Sequence, residues 1–103
     1  MNDYQVVILQ EAQIDIEDTI EWYEGQRQGL GETFFSRYLY TEELLANNPY
    51  LYQENLLFVR RALISRTSYA IYYAVDEQNK IVEIIAVLHQ KRDPKLLKSR
   101  INL

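Results

Sequence analysis

The sequence predicts an α+β fold of order β-α-α-β-β-β, with a helix hairpin packed on one face of an antiparallel-rich four-stranded sheet. Three observations predict it. Apolar residues recur at helical spacing from residue 11 to about residue 47, and from residue 56 the composition and period become those of strands. The two helical stretches are joined only by "GLG" at 29 to 31, a link short enough to force a hairpin. A β-branched run without helical spacing, "YQVVIL", precedes them both.

Tyr4 to Leu9 is therefore the first strand. Ala12, Ile16, Ile20 and Tyr23 then mark one stripe of a helix from Glu11 to Gln28, with Asp15, Asp18, Glu21 and Glu24 facing water. Glycine tolerates the left-handed backbone that ends helices, so "GLG" stops it. The second helix carries Phe34, Tyr38, Thr41 and Leu45 on its stripe, widened by Phe35 and Leu39, and ends at "NNP". An irregular stretch, "PYLYQEN", comes next.

"LLFVRRALI" (56 to 64) and "SYAIYYAVD" (68 to 76) are the next strands. In the latter, Tyr69, Ile71, Tyr73 and Val75 share one face, and Ala70, Tyr72 and Ala74 the other. After the polar turn "DEQN", "KIVEIIAVLHQ" (80 to 90) is apolar on both faces and is read as the central strand. "DP" at 93 and 94 ends it, and residues 95 to 103 form a short helical or flexible tail. The hairpin covers one sheet face and leaves the other open.

A chain of 103 residues suits one domain, residues 1 to 103, and nothing in it resembles a linker or a repeat. The absence of cysteine excludes thiolate chemistry and a disulfide scaffold, and it fits a reducing compartment such as the cytoplasm. No apolar run reaches the roughly 18 residues of a membrane helix, and the first residues lack the pattern of a signal peptide. A soluble, non-exported protein is expected. The net charge of −4 hides two unlike halves: ten acids against two arginines in residues 1 to 50, nine bases against five acids in the remainder. Such asymmetry points to a charged partner.

Few chemistries have residues to support them. A single histidine gives no metal-ligand pattern, and the serines lack a nucleophile-elbow context, so no metal is expected. Gly25, Gly29 and Gly31 compose neither a Walker loop nor a dinucleotide fingerprint, and no cofactor is expected. The acids of the first helix suit a hydrated face better than an acid–base pair. Trp22 and Tyr23 read as packing residues, whereas Tyr50 and Tyr52, in a loop beside Pro49, suit partner binding and loop packing equally. Arg60, Arg61, Arg66, Lys91, Arg92, Lys95, Lys98 and Arg100 form a candidate basic surface. Arg60 and Arg61 point to opposite sheet faces, so one of them at most reaches the open face. Along the last strand Ile81, Glu83, Ile85, Val87 and His89 share a face, which sets His89 near its exit. There it can exchange protons near neutral pH while Arg66 or Arg92 holds a phosphate or carboxylate.

Four segments, "EAQIDIEDTIEWYEGQRQGLGETF", "LLANNPYLY", "VRRALISRTSYAIYYAVD" and "IIAVLHQKRDP", span residues 4 to 94 with their flanks. In order and spacing they resemble the RelE/ParE superfamily of type II toxins, also known as plasmid stabilisation proteins. The resemblance implies a toxin neutralised by a cognate antitoxin. RelE-like members cut messenger RNA on the ribosome with basic residues, histidine or tyrosine; ParE-like members poison DNA gyrase without such a site. Two departures matter here: Ala70 stands where RelE-like nucleases commonly carry an arginine, and "TSY" replaces "FPY" near Arg66. With a sequence pI near 4.9, docking on ribosomal RNA is disfavoured. The resemblance is therefore closer to the ParE-like branch. It implies antitoxin or target contacts through Arg60, Arg61, Arg66, Lys91, Arg92, Tyr50 and Tyr52, with His89, Arg92 and Arg66 as candidate catalytic residues under the ribosome-and-mRNA alternative. Inactive, interaction-only membership and a homodimer both stay open.

Overall fold

A computed structural model describes residues 4–101; the ends of the expected domain, residues 1–3 and 102–103, lie outside the described residues. Strand β1 (Gln5–Ile8) leads into helices α1 (Gln10–Gln26) and α2 (Leu30–Asn47). α1 buries Ala12, Ile16 and Thr19, and α2 buries Phe34, Tyr38, Thr41 and Leu45, so each presents one stripe to the interior. The two threonines donate their hydroxyls to Asp15 O (2.7 Å) and Arg37 O (3.0 Å), pairing within their own helices.

The hairpin closes tightly because residue 31 has no side chain. A Cβ on Gly31 would stand 2.8 Å from the carbonyl oxygen of Ile20, so the helices approach more closely than alanine permits. Glu24, exposed as expected, also caps α2. Its carboxylate accepts from the N–H groups of Gly29 and Gly31, each at 3.0 Å, and so satisfies two of the donors a helix start leaves unpaired.

Four further strands complete the sheet: β2 (Glu54–Leu56), β3 (Val59–Leu63), β4 (Tyr69–Asp76) and β5 (Ile81–His89). The sheet order is β1-β5-β4-β3-β2, with β1 parallel to β5 and the other pairs antiparallel. The α+β fold with a mostly antiparallel sheet is as the sequence predicts, with one strand more. The run from 56 to 64 breaks at Leu57, whose φ of 50° is usually left to glycine or asparagine, and the chain before it folds back on β3. β5 is interior, as its two-sided apolarity requires, but the added β2 makes β4 the middle strand.

On β4, alternation holds. Ile71 and Tyr73 enter the core beneath the helix hairpin with Tyr69 and Val75 packed beside them, while Ala70, Tyr72 and Ala74 turn to the other face. On β5 it fails. Tyr73 pairs with Ile84 and Tyr72 with Ala86, leaving Ile85 as the extra residue of a bulge. Ile85 joins the second face while Val87 packs under the hairpin, so the single face expected for Ile81 through His89 does not exist.

The second face is not open either. Helix α3 (Pro94–Arg100) starts at Asp93, whose carboxylate accepts from Lys95 N at 2.9 Å. It lays Leu97 on Val59, Ala70, Tyr72, Ile85, Ala86 and Leu88. Arg100, expected among the surface bases, turns inward and donates to both oxygens of Asp15 (2.5 and 2.9 Å). Asp15 also accepts from Val87 N (2.9 Å), and Arg100 reaches Ile85 O (3.3 Å). β1 ends its pairing with β5 at Ile84, so this ion pair meets the β5 edge where a strand would otherwise continue.

Candidate functional site

The sequence-selected residues fall into three groups. Tyr50, Tyr52 and Arg60 lie where the loop after α2 meets the β4–β5 turn. The Arg60 guanidinium donates to Tyr52 O at 2.6 Å and lies over the Tyr50 ring, 5.0 Å from its centroid. Tyr50 in turn donates to Glu77 Oε1 at 2.8 Å, as Tyr4 does at 2.6 Å, and Lys80 pairs with the same carboxylate. With Lys80 and two phenols bonded to it, Glu77 is held down at about 2. Beneath this cluster the buried Tyr73 donates to Pro49 O at 2.6 Å, and burial pushes its phenol well above the ordinary range. These contacts fasten the loop internally.

His89 belongs to a second group, at the opposite end of the sheet. Its ring meets Tyr69 edge-on at 5.3 Å, and its Nδ1 accepts from Lys91 N at 3.1 Å. A bond from Gln90 N to Ser68 O (2.8 Å) holds the β3–β4 turn beside the end of β5, and that turn carries exposed Arg66 at φ 60°. A cleft of 190 Å³ is lined by Asp15, Asp18, Trp22, Tyr69, His89 and Arg92, among others. Trp22, read as a packing residue, is 54% exposed at its edge. Tyr23 alone packs inward, stacked on Phe34 at 5.1 Å. Arg66 is not among the residues lining this cleft, so the three candidate catalytic residues do not share it.

The third group faces α3. Arg61 stands on the β3 face that also carries Val59 and Leu63, opposite Tyr72 of β4. A cavity of 410 Å³ opens there, floored by Leu56, Tyr72, Leu88 and Leu97 and edged by Arg61, Arg92 and Lys98. Arg60, by contrast, is the neighbour of Tyr73 on the hairpin side. Of the two arginines, Arg61 is the one turned to the second face.

Comparison with known proteins places this geometry. The model of the ParE toxin of type II toxin-antitoxin systems, parDE, matches residues 6–94. The chain belongs to the ParE toxin family. Solved structures agree on the fold. The chromosomal ParDE system of P. aeruginosa superposes with a TM-score of 0.74 at 11% identity, over 84% of this chain and 96% of that one. The archaeal RelE-RelB complex of Pyrococcus horikoshii OT3 gives 0.61 at 17% identity, covering 88% and 99%. The toxin-antitoxin complex RelBE2 of Mycobacterium tuberculosis gives 0.52 at 19%, covering 86% and 93%. No curated protein matches the sequence.

Two residues of this ParE-family toxin escape a reading of the sequence. Asp15 reads as water-facing, although it lies on the stripe of Ala12, Ile16 and Thr19; that placement is the available signal. Arg100 has no such signal, because its partner is 85 residues away and local spacing says nothing about it.

Proposed function

We propose that this ParE-type toxin inhibits DNA gyrase in the cytoplasm, is neutralised by a cognate antitoxin and serves plasmid stabilisation. The reading is carried by the family match over residues 6–94. A second feature supports it. Ala70, at the position where RelE-like relatives commonly carry an arginine, is fully buried in the cluster that includes Leu97, so position 70 itself supplies no ligand to a phosphate. Arg61, Arg66, Lys91 and Arg92 supply the cationic contacts to antitoxin or target, while Arg60, Tyr50 and Tyr52 hold the loop that flanks Arg61.

The alternative is a ribosome-dependent endoribonuclease, favoured by His89, Tyr69 and Arg92 lining one cleft. Expression without antitoxin separates the two. The gyrase reading expects growth arrest with induction of a DNA-damage reporter, intact transcripts, and full toxicity in His89→Ala. Codon-positioned cuts in messenger RNA that vanish in His89→Ala overturn it. Harmless expression of a folded chain overturns both and leaves an interaction-only member.

A further inference from the structure

Trp22 is the chain's one tryptophan, and it stands 54% exposed on a helix whose outer side chains are mostly acids. A ring of that size left in water forgoes the stabilisation that burial brings, and such rings recur as anchors of interfaces. Contact with Tyr23, edge-on at 5.1 Å, fixes it beside the 190 Å³ cleft between α1 and the end of β5. Tyr69 and His89 line the sheet side of that cleft. Asp18, one helical turn before Trp22, is exposed and has neither an ion pair nor a side-chain hydrogen bond among the described residues, although Arg92 lines the same cleft. Asp15, by contrast, is occupied by Arg100 and Val87 N. His89 accepts from Lys91 N through Nδ1, so that nitrogen bears no proton and the ring brings no charge into the cleft.

Flat rings beside an unpaired carboxylate suit a planar cation, which stacks on the one and donates to the other. Exposed Glu17 and Glu21 flank Asp18 on α1, and residues 1 to 50 hold ten acids against two arginines, so the helix side of the cleft lies in a negative field. We infer that the cleft bounded by Asp18, Trp22 and Tyr69 docks an arginine side chain presented by the toxin's protein target. The guanidinium lies on the Trp22 ring, and its N–H groups donate to the Asp18 carboxylate. A lysine fits less well, because its compact ammonium has no flat face to lay on a ring. A nucleotide also fits less well, because its phosphate enters the same negative field with Arg92 alone to meet it. The inference rests on the reading that the toxin acts on a protein, gyrase, and it names the part of the toxin surface that touches that protein.

The first arm of the test uses the purified full chain, in which Trp22, as the one tryptophan, reports on the cleft by its own fluorescence. N-acetyl-arginine amide, titrated at constant ionic strength, is expected to change that emission saturably. Asp18→Asn, which breaks no side-chain hydrogen bond or ion pair among the described residues, should weaken the binding about fivefold or more. Arg92→Ala removes a repelling charge and should tighten it. N-acetyl-lysine amide and guanosine monophosphate should both bind more weakly than the arginine derivative. No saturable change, equal affinity in Asp18→Asn, or tighter binding of either control overturns the inference. The second arm is expression without antitoxin, where Asp18→Asn at an unchanged level of folded chain should give weaker growth arrest; full arrest overturns the contact with the target. The fluorescence arm requires neither gyrase nor growth arrest, so its failure is separable from failure of the gyrase reading, which arrest without the DNA-damage signal would bring.

Discussion

Asp15 and Arg100 show how one pair of side chains substitutes for backbone. Their carboxylate and guanidinium are 11% and 10% exposed, and each also bonds to the β5 edge. Removing either leaves a buried charge, so Asp15→Ala and Arg100→Ala should each cost about 3–5 kcal/mol in urea unfolding. The double variant should cost much less than their sum, as expected for residues in contact. Glu77 gives a pH-dependent counterpart on the surface. Its carboxylate sits at about 2 in the folded chain against an ordinary 4.5, so it contributes stability present above 4.5 and lost as pH falls through 2. Glu77→Gln should flatten that part of the stability–pH curve in acid titration followed by circular dichroism. Neither cluster is legible in the sequence: Lys80 is local to Glu77, in the same turn, but Tyr4 and Tyr50 reach it from two distant segments that no spacing rule connects.

Among the elements, the helix hairpin is the most legible, because its stripes repeat over many turns and "GLG" has a mechanical reason to stop a helix. Gly31 and Gly25 make opposite predictions from one substitution. A Cβ at Gly31 meets the Ile20 carbonyl, and Gly31→Ala should destabilise by about 1–3 kcal/mol through overpacking. Nothing lies within 4 Å of a Cβ at Gly25, inside α1, and Gly25→Ala should stabilise by about 0.4–1 kcal/mol. Thermal unfolding of the two variants checks both signs. The strands are less legible where the backbone breaks its own period. The Leu57 turn and the Ile85 bulge each change the facing of the residues beyond them, and both occur in apolar runs whose composition is that of an uninterrupted strand. Hence β2 reads as irregular chain in the sequence, and His89 reads as sharing a face with Ile85.

For the whole molecule, α3 decides what the second sheet face can do. Read as bare, that face would be a broad platform for a partner; with Leu97 seated on Val59, Ala70, Tyr72 and Leu88, only the groove beside Arg61 remains. The same helix carries Lys98 to the cavity rim and Arg100 to the Asp15 pair, so the shape of this face and its stability share one element. Substituting Leu97 separates these roles from the charges. Leu97→Ala should cost about 2–5 kcal/mol, because a buried leucine is replaced by a cavity. It leaves Arg61, Arg92 and Lys98 in place. If α3 shields this face, the variant, still folded at low temperature, should bind dyes specific for exposed apolar surface although every cation remains. Unchanged dye binding by a demonstrably folded Leu97→Ala chain would mean that the remaining residues of α3 cover this face without the leucine.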